Sequence, residues 1–142
     1  GACYPEKHYE AVDFKADLIH LKEKADLGLD FLVSQLFFDN TCFYRFREAS
    51  DKLGIHLPVS AGIMPITSAK MLGNTVALSG SSVPKELSDI IANYGEHPDD
   101  MRKAGIDYAI RQCQDLKKNG VDGLHIYTMN KSKTASQIVN AL

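Results

Sequence analysis

Cysteine is scarce in this chain of 142 residues: there are three, an odd number, at positions 3, 42 and 113. With no C-x-x-C pair, Cys3, Cys42 and Cys113 suit neither a disulfide framework nor a zinc site. They read as small buried or half-buried residues in a reducing, cytoplasmic setting. Charge of one sign is not concentrated either. Sixteen basic residues face eighteen acidic ones, for a net charge of −2, and no basic block or aromatic-interleaved basic stripe exists. Nucleic-acid binding therefore has little support. No apolar run approaches the length of a membrane span. The first residues carry neither the basic nor the apolar region of a secretory leader. Also missing are G-x-G-x-x-G, G-x-x-x-x-G-K-[ST] and G-x-S-x-G, which removes common nucleotide-fold and hydrolase readings. The histidines form no H-x-x-x-H or H-E-x-x-H, so no metal is expected.

What is present suits one domain over residues 1–142, with a hydrophobic fraction of 44% to build a core. The chain opens on a short strand, Ala2-Cys3-Tyr4. Ala11, Phe14, Leu18, Leu21 and Ala25 then recur at helical spacing, with Asp13 as N-cap and Gly28 just past the end. Phe31 to Phe38 reads as a buried strand. Asp39 or Asn40 opens a helix through Phe43, Phe46, Ala49 and Leu53, stopped by Gly54. A strand from Pro58 to Ile66 follows, in which Gly62 signals close approach by another backbone or a ligand.

Residues 67–98 are less regular: a short helix from Ser68 to about Gly73-Asn74, a weak apolar run over Val76–Ser79, and a helix from Pro84 to about Tyr94. Asp99 or Asp100 caps a longer helix to Lys118, Asn119-Gly120 ends it, Gly123–Met129 is the last strand, and residues 132–141 are helical. Helix, glycine, turn and strand recur at glycines 28, 54 and 120, the repeat that makes parallel strands with right-handed crossovers. Two architectures fit: a small doubly wound sheet, or half of an eightfold barrel whose full length is roughly 250 residues.

Both gather ligand-binding groups at the C-terminal strand ends. Tyr4-Pro5-Glu6-Lys7-His8 lies there, as a plain polar loop or a ligand loop. Asp17, His20 and Lys24 share one helix face, either solvated or turned toward a ribose or phosphate. Gln35 is the polar anomaly of an apolar strand. A buried carboxamide left unpaired costs roughly 1–3 kcal/mol, so backbone or ligand must meet it. His125 reads as a satisfied core histidine. Lys131 and Lys133 follow the last strand, where cations would meet an anionic group or simply lie in water.

Taken together, several segments resemble the C-terminal half of the methylenetetrahydrofolate reductase family, flavin-dependent (β/α)₈ barrels. They are Cys3-Tyr-Pro-Glu-Lys-His8, Ala16-Asp-Leu-Ile-His-Leu-Lys-Glu-Lys24 with Gly28, Ser34-Gln-Leu-Phe-Phe-Asp39, Arg45-Phe-Arg47, Gly62-Ile-Met-Pro65 and Leu124-His-Ile-Tyr-Thr-Met-Asn130. They occur in family order across essentially the whole chain.

The resemblance implies a fold of parallel β/α repeats, the C-terminal half of a TIM barrel with about four strands. It also implies reduction of 5,10-methylenetetrahydrofolate to 5-methyltetrahydrofolate, with a hydride passing from NAD(P)H or another donor through FAD. By the same match, Tyr4, His8, Ala11, Asp17, His20 and Lys24 fall at FAD-contacting positions. Gln35, Met71 and Lys131 fall at folate-contacting ones.

Departures accompany the match. His20 stands where bacterial relatives often carry Asn, and Glu23 where they often carry Arg. Met71 replaces a possible substrate-contacting Gln. Lys131 replaces an Arg, keeping the charge for folate carboxylates but losing the bidentate fork.

The acidic residue thought to protonate the folate belongs to the family's other half, so no catalytic residue is expected here. The chain is expected to be a fragment, an isolated domain or one part of a split enzyme. It would be inactive alone and partnered by the missing half-barrel or a second copy. The competing expectation is a non-catalytic folate-binding or assembly module that has lost the full FAD site.

Overall fold

A side-chain oxygen holds the first amides of three helices. In the computed structural model, which describes residues 1–142, Asp13 accepts from the Ala16 amide at 2.8 Å and opens α1 (Phe14–Asp26). Asp39 accepts from the Thr41 amide at 2.9 Å and opens α2 (Asn40–Lys52). Ser68 accepts from the Met71 amide at 3.2 Å and opens α3 (Ala69–Ser79). After Pro84 comes α4 (Lys85–Tyr94), and α5 (Pro98–Lys118) has Pro98 at its first position. The last helix, α6 (Ser132–Asn140), has no side-chain cap. Gly28, Gly54 and Gly120, past the ends of α1, α2 and α5, take left-handed backbone at φ 100°, 72° and 74°.

Between the helices run β1 (Ala2–Cys3), β2 (Leu32–Ser34), β3 (Val59–Ile63) and β4 (Gly123–Ile126). They pair in sequential order, all parallel. This decides between the two architectures. A doubly wound sheet reverses its strand order at a switch point, whereas sequential order with crossovers of one hand keeps every helix on one face, as in a barrel. The fold is therefore an α/β half-barrel of four parallel strands and six helices.

Register separates the strand residues into two sets. Cys3, Ser34 and Ala61 line up across β1, β2 and β3, with Leu32 and Val59 one pleat away. Cys3, Leu32, Val59, Ala61 and Ile63 enter a cluster with Leu18, Leu21, Phe43, Phe46, Ala109, Cys113 and Leu116 from α1, α2 and α5. The opposite set, Ala2, Val33, Ser60, Gly62, Gly123 and His125, faces the concave side. A second cluster above the strand ends joins Leu36, Phe38, Met64 and Ile66 to Leu87 of α4 and Met101 of α5. At the opposite end, Arg47 pairs with Asp122 at 2.9 Å, and Asp122 also accepts from the Val59 amide at 2.9 Å. That ties α2 to the starts of β3 and β4.

Several sequence-based expectations need correcting. The strand expected over Phe31–Phe38 spans Leu32–Ser34 alone, and Phe31 is 54% exposed. Its neighbour β1 runs out at Cys3, just before Tyr4 and the buried Pro5, so little of β1 remains to pair with. The Ser34 hydroxyl, not a backbone carbonyl, accepts from the Gly62 amide at 2.8 Å. Beyond that point Phe37 turns to the first cluster, stacking on Phe43, while Leu36 and Phe38 serve the second.

The strand expected over Pro58–Ile66 covers Val59–Ile63, and Met64 and Ile66 leave the sheet for the second cluster. The last strand ends at Ile126, and Met129 and Asn130 take left-handed backbone at φ 47° and 61°. Residues 69–79 form one helix through Gly73. The stripe Met71, Leu72 and Val76 packs on the second cluster, which offsets the ~1 kcal/mol cost of a helical glycine. The long helix α5 starts after His97, which leaves Asp99 and Asp100 in its first turn instead of at the cap.

Candidate functional site

The loop after β1 is held down from α1. Asp17 accepts from the His8 amide at 3.0 Å, and Lys24 donates to the Ala2 carbonyl at 2.8 Å. Asp17 and Lys24 thus pin the loop and its strand and form no ion pair with each other. Lys7 donates to the Ala11 carbonyl at 2.9 Å and closes the loop on itself. Tyr4 and His8 meet edge to face at 4.7 Å, and Tyr9 lies 4.6 Å beyond His8. Between loop and helix lies a cleft of about 390 Å³.

That cleft brings together Tyr4, His8, Ala11, Asp17, His20 and Lys24, the six residues expected at FAD-contacting positions. Ala2, Cys3, Glu10 and Leu21 complete it, and sequence reasoning did not pick these out as lining residues. Helical spacing could have found Leu21, four residues from Asp17. Glu10 lies in the irregular stretch before α1 and carries no periodic signal. His20 is exposed and sits 3.3 Å from Glu23. Burial, with Asp17 next in weight, raises the Tyr4 hydroxyl above its usual range. Burial, the largest cause, outweighs nearby cations at Cys3, whose thiol is pushed up to about 12. Cys3 is thus an inert thiol under the cleft floor, not a nucleophile.

Gln35 lies apart from this cleft, in a shallow hollow of about 320 Å³ on the concave face with Tyr4, Phe31, Val33, Ser34 and Tyr127. It is half-buried, not fully buried as a continuous strand would have made it. Its own chain meets one end of the carboxamide: Oε1 accepts from the Leu36 amide at 2.9 Å. The Nε2 donors have no partner in the chain and remain available to a ligand. Tyr4 lines both the cleft and this hollow, so it forms the wall between them.

Tyr127 donates to the Ser34 carbonyl at 3.3 Å and so stands over the end of β2. A Cβ at Gly62 would lie 2.4 Å from that same carbonyl and 3.0 Å from the Tyr127 ring, which explains glycine there. The expected close approach at Gly62 is thus by the protein itself. His125, expected in a core, is exposed on the concave face with its ring 4.7 Å from Tyr127. Met71 and Lys131 meet elsewhere, in a cavity of about 520 Å³ with Met64, Asn74, Thr75 and Met129. The structure therefore sorts the candidates into three separate places, with Tyr4 joining two of them.

A half-barrel of parallel strands with its polar side chains grouped at the C-terminal strand ends belongs to the (β/α) barrel class. The model of methylenetetrahydrofolate reductase matches residues 1–142, and the chain belongs to that family. A 5,10-methylenetetrahydrofolate reductase of Buchnera aphidicola is 36% identical, with 99% of this chain matching 48% of that protein. A probable NADPH-dependent methylenetetrahydrofolate reductase of Caenorhabditis elegans is 34% identical, with 99% of this chain covering 21% of it. An NADH-dependent one of Arabidopsis thaliana is 31% identical, with 97% of this chain covering 25% of it. The chain spans about half the length of the bacterial relatives and less of the others. Among solved structures, a Clostridium thermocellum protein described as binding two copies of 5-methyl-5,6,7,8-tetrahydrofolic acid superposes with a TM-score of 0.64 at 17% identity. Alignment covers 99% of this chain and 51% of that one, and at this identity it supports the fold alone.

Proposed function

We propose that this chain supplies the C-terminal half-barrel of a flavin-dependent enzyme that reduces 5,10-methylenetetrahydrofolate to 5-methyltetrahydrofolate. The observation that carries the reading is the cleft beside β1, where six residues scattered from position 4 to position 24 converge as the family resemblance requires.

FAD, when bound, supplies the hydride relay between a nicotinamide and the folate. The residues present fit part of such a cofactor. Tyr4 offers an aromatic wall, Ala11 and Leu21 an apolar floor, and Asp17 and His8 polar edges for a sugar or base. Lys24 is the one lysine or arginine lining the cleft, against the carboxylates of Glu10 and Asp17. That balance is poor for a pyrophosphate, whose neutralisation would fall to the other half of the barrel. Gln35 would orient the pterin through its free Nε2 donors, beside Tyr127. Met71 would wall the substrate, and Lys131 would face the folate carboxylates.

By the family resemblance the acidic residue that protonates the folate belongs to the other half of the barrel, so on this reading the half-barrel binds and orients, and does not reduce folate alone. The relatives' names include both NADPH and NADH, so the class of donor is a reduced nicotinamide of either kind. The three cysteines are all free thiols, which suits a reducing cytoplasm. No helix is long and apolar enough to cross a membrane.

The test is the visible spectrum and folate-reduction rate of the purified chain, first alone and then mixed with an N-terminal half-barrel of a relative. We expect no reduction alone, and a flavin band with activity on mixing. Lys24→Ala should weaken flavin retention in the mixture by roughly tenfold, the size of one charge-assisted contact. Folate reduction by the chain alone would overturn the positioning role. A colourless mixture would instead leave a non-catalytic module.

A further inference from the structure

Helix α3 carries Met71 yet is thinly embedded: Thr75 is its one buried residue, whereas α5 buries seven. Leu78, near its end, is 84% exposed. A segment with so little buried surface opens easily unless it is fastened at its ends. Its first end has the Ser68 cap. Its last end is fastened by hydrogen bonds to two strand-end loops.

Past Gly80 the chain turns along those loops. Ser81 is buried, and its hydroxyl donates to the Leu36 carbonyl at 2.9 Å. The Ser82 amide donates to both carboxylate oxygens of Glu6, at 3.1 and 3.0 Å. Ser79 shapes the turn: its hydroxyl donates to the Thr75 carbonyl at 2.8 Å and accepts from the Ser81 amide at 3.2 Å. Glu6 is in no ion pair, so its charge strengthens the bond to the Ser82 amide instead of meeting a cation.

Both anchor points adjoin candidate ligand residues. Glu6 stands between Tyr4 and His8 in the loop after β1. Leu36 follows Gln35, and its amide holds the Gln35 Oε1. The short connection over residues 80–82 therefore meets the flavin-side loop and the residue that fixes Gln35. It does so at the end of the helix whose Met71 lines the third cavity.

We propose that Glu6 and Ser81 are positioning residues that clasp the end of α3 to the loops after β1 and β2, and so hold Met71 in place relative to Tyr4, His8 and Gln35. The ligands concerned rest on the reductase reading, whereas the clasp is a property of this chain. Glu6 and Ser81 act through the backbone they hold. A released α3 would carry Met71 away from the substrate, and misplacing a group that positions substrate is costly even when it lies far from the chemistry.

Amide hydrogen exchange on the purified chain reads the clasp directly. In Glu6→Ala the α3 amides from Leu72 to Gly80 should exchange roughly tenfold faster, the size of one charge-assisted contact. Glu6→Gln, which keeps an acceptor oxygen, should recover much of that protection, and Ser81→Ala should loosen the same amides. Amides of α1 and α5 should stay within about twofold of the parent, since the opening is local. In the mixture with an N-terminal half-barrel, Glu6→Ala should raise the folate KM roughly tenfold while kcat falls by less than about twofold. Unchanged α3 exchange in both alanine variants, or an equal rise in α1 and α5, would overturn the proposal. So would a loosened α3 with an unchanged folate KM. An inactive mixture of the parent chain would count against the reductase reading instead, and the exchange pattern would still decide the clasp.

Discussion

Leu32 and Val33 are neighbours in one three-residue strand, yet Leu32 is fully enclosed and Val33 is half-exposed. The contrast extends across the sheet. On the convex face, Cys3, Leu32, Val59, Ala61 and Ile63 lie under α1, α2, α5 and α6 in one continuous cluster. On the concave face, Ala2, Gly62 and Gly123 are small, while Tyr4, Gln35, His125 and Tyr127 form a shallow polar rim. A convex face is finished locally, because each strand brings its own covering helix with it. A barrel interior fills differently, by layers of side chains drawn from alternate strands right round the ring, so four strands leave their inner face uncovered. The face that carries stability is thus separate from the face that offers polar groups to ligands.

Breaking the comparison should cost most on the convex side. Leu32→Ala is expected to lower unfolding free energy by ~2–5 kcal/mol, and Phe37→Ala by ~3–5 kcal/mol. Val33→Ala on the concave side should cost under ~1 kcal/mol. Urea denaturation of the three variants checks this, and equal losses at positions 32 and 33 would mean that the concave face is covered in solution.

A smaller effect concerns acid stability on the convex, helical side. Tyr44 and Asn40 donate to Asp115 at 2.6 and 2.7 Å, and chiefly the Tyr44 bond holds its carboxyl below the usual value. Burial, followed by Asp115, pushes the Tyr44 hydroxyl up to about 12, so it stays a donor at neutral pH. A carboxyl lowered by folding adds stability above its ordinary value, and the gain is lost as pH falls through the folded one. Asp115→Asn should therefore be less stable than the parent at neutral pH, by under ~1 kcal/mol at so exposed a site, with the two stability curves converging in acid. A difference that persisted unchanged through the acid range would contradict the linkage.

The mildest test uses the thiols to report which face is closed. Burial raises Cys3 to about 12 and Cys113 to about 11, while Cys42 is half-buried and less perturbed. At mildly alkaline pH, alkylation followed by mass spectrometry should label Cys42 first and leave Cys3 and Cys113 protected until unfolding. Early labelling of Cys3 would show that β1 detaches from its helices.

Much of this was legible because it is local. Asp13, Asp39 and Ser68 act as helix caps where the sequence placed them, since a cap needs only a short polar side chain before an apolar stripe. The strands were found but drawn too long. Phe31–Phe38 looks uniformly apolar, yet its residues serve two clusters and the concave rim, and only the positions of partners reveal the division. Gly73 suggested a helix end for the same reason: its cost was visible and the packing of Met71, Leu72 and Val76 was not. At the candidate site, the motif residues from Tyr4 to Lys24 were recognisable as a set. The engagement of Asp17 and Lys24 with backbone was not, because those partners lie 9 and 22 residues away.

The sequence by itself determined the parallel β/α repeat and, through its motifs, the family. Both depend on periodicities and residue types that neighbouring positions reveal. Only the tertiary structure decided that the sheet runs in sequential order, that the Gln35 carboxamide is held at one end by the Leu36 amide, and that Asp17 and Lys24 engage backbone groups of the first strand and its loop. These are contacts between elements, and a side chain's chemistry at such a place is set by what the rest of the fold brings beside it.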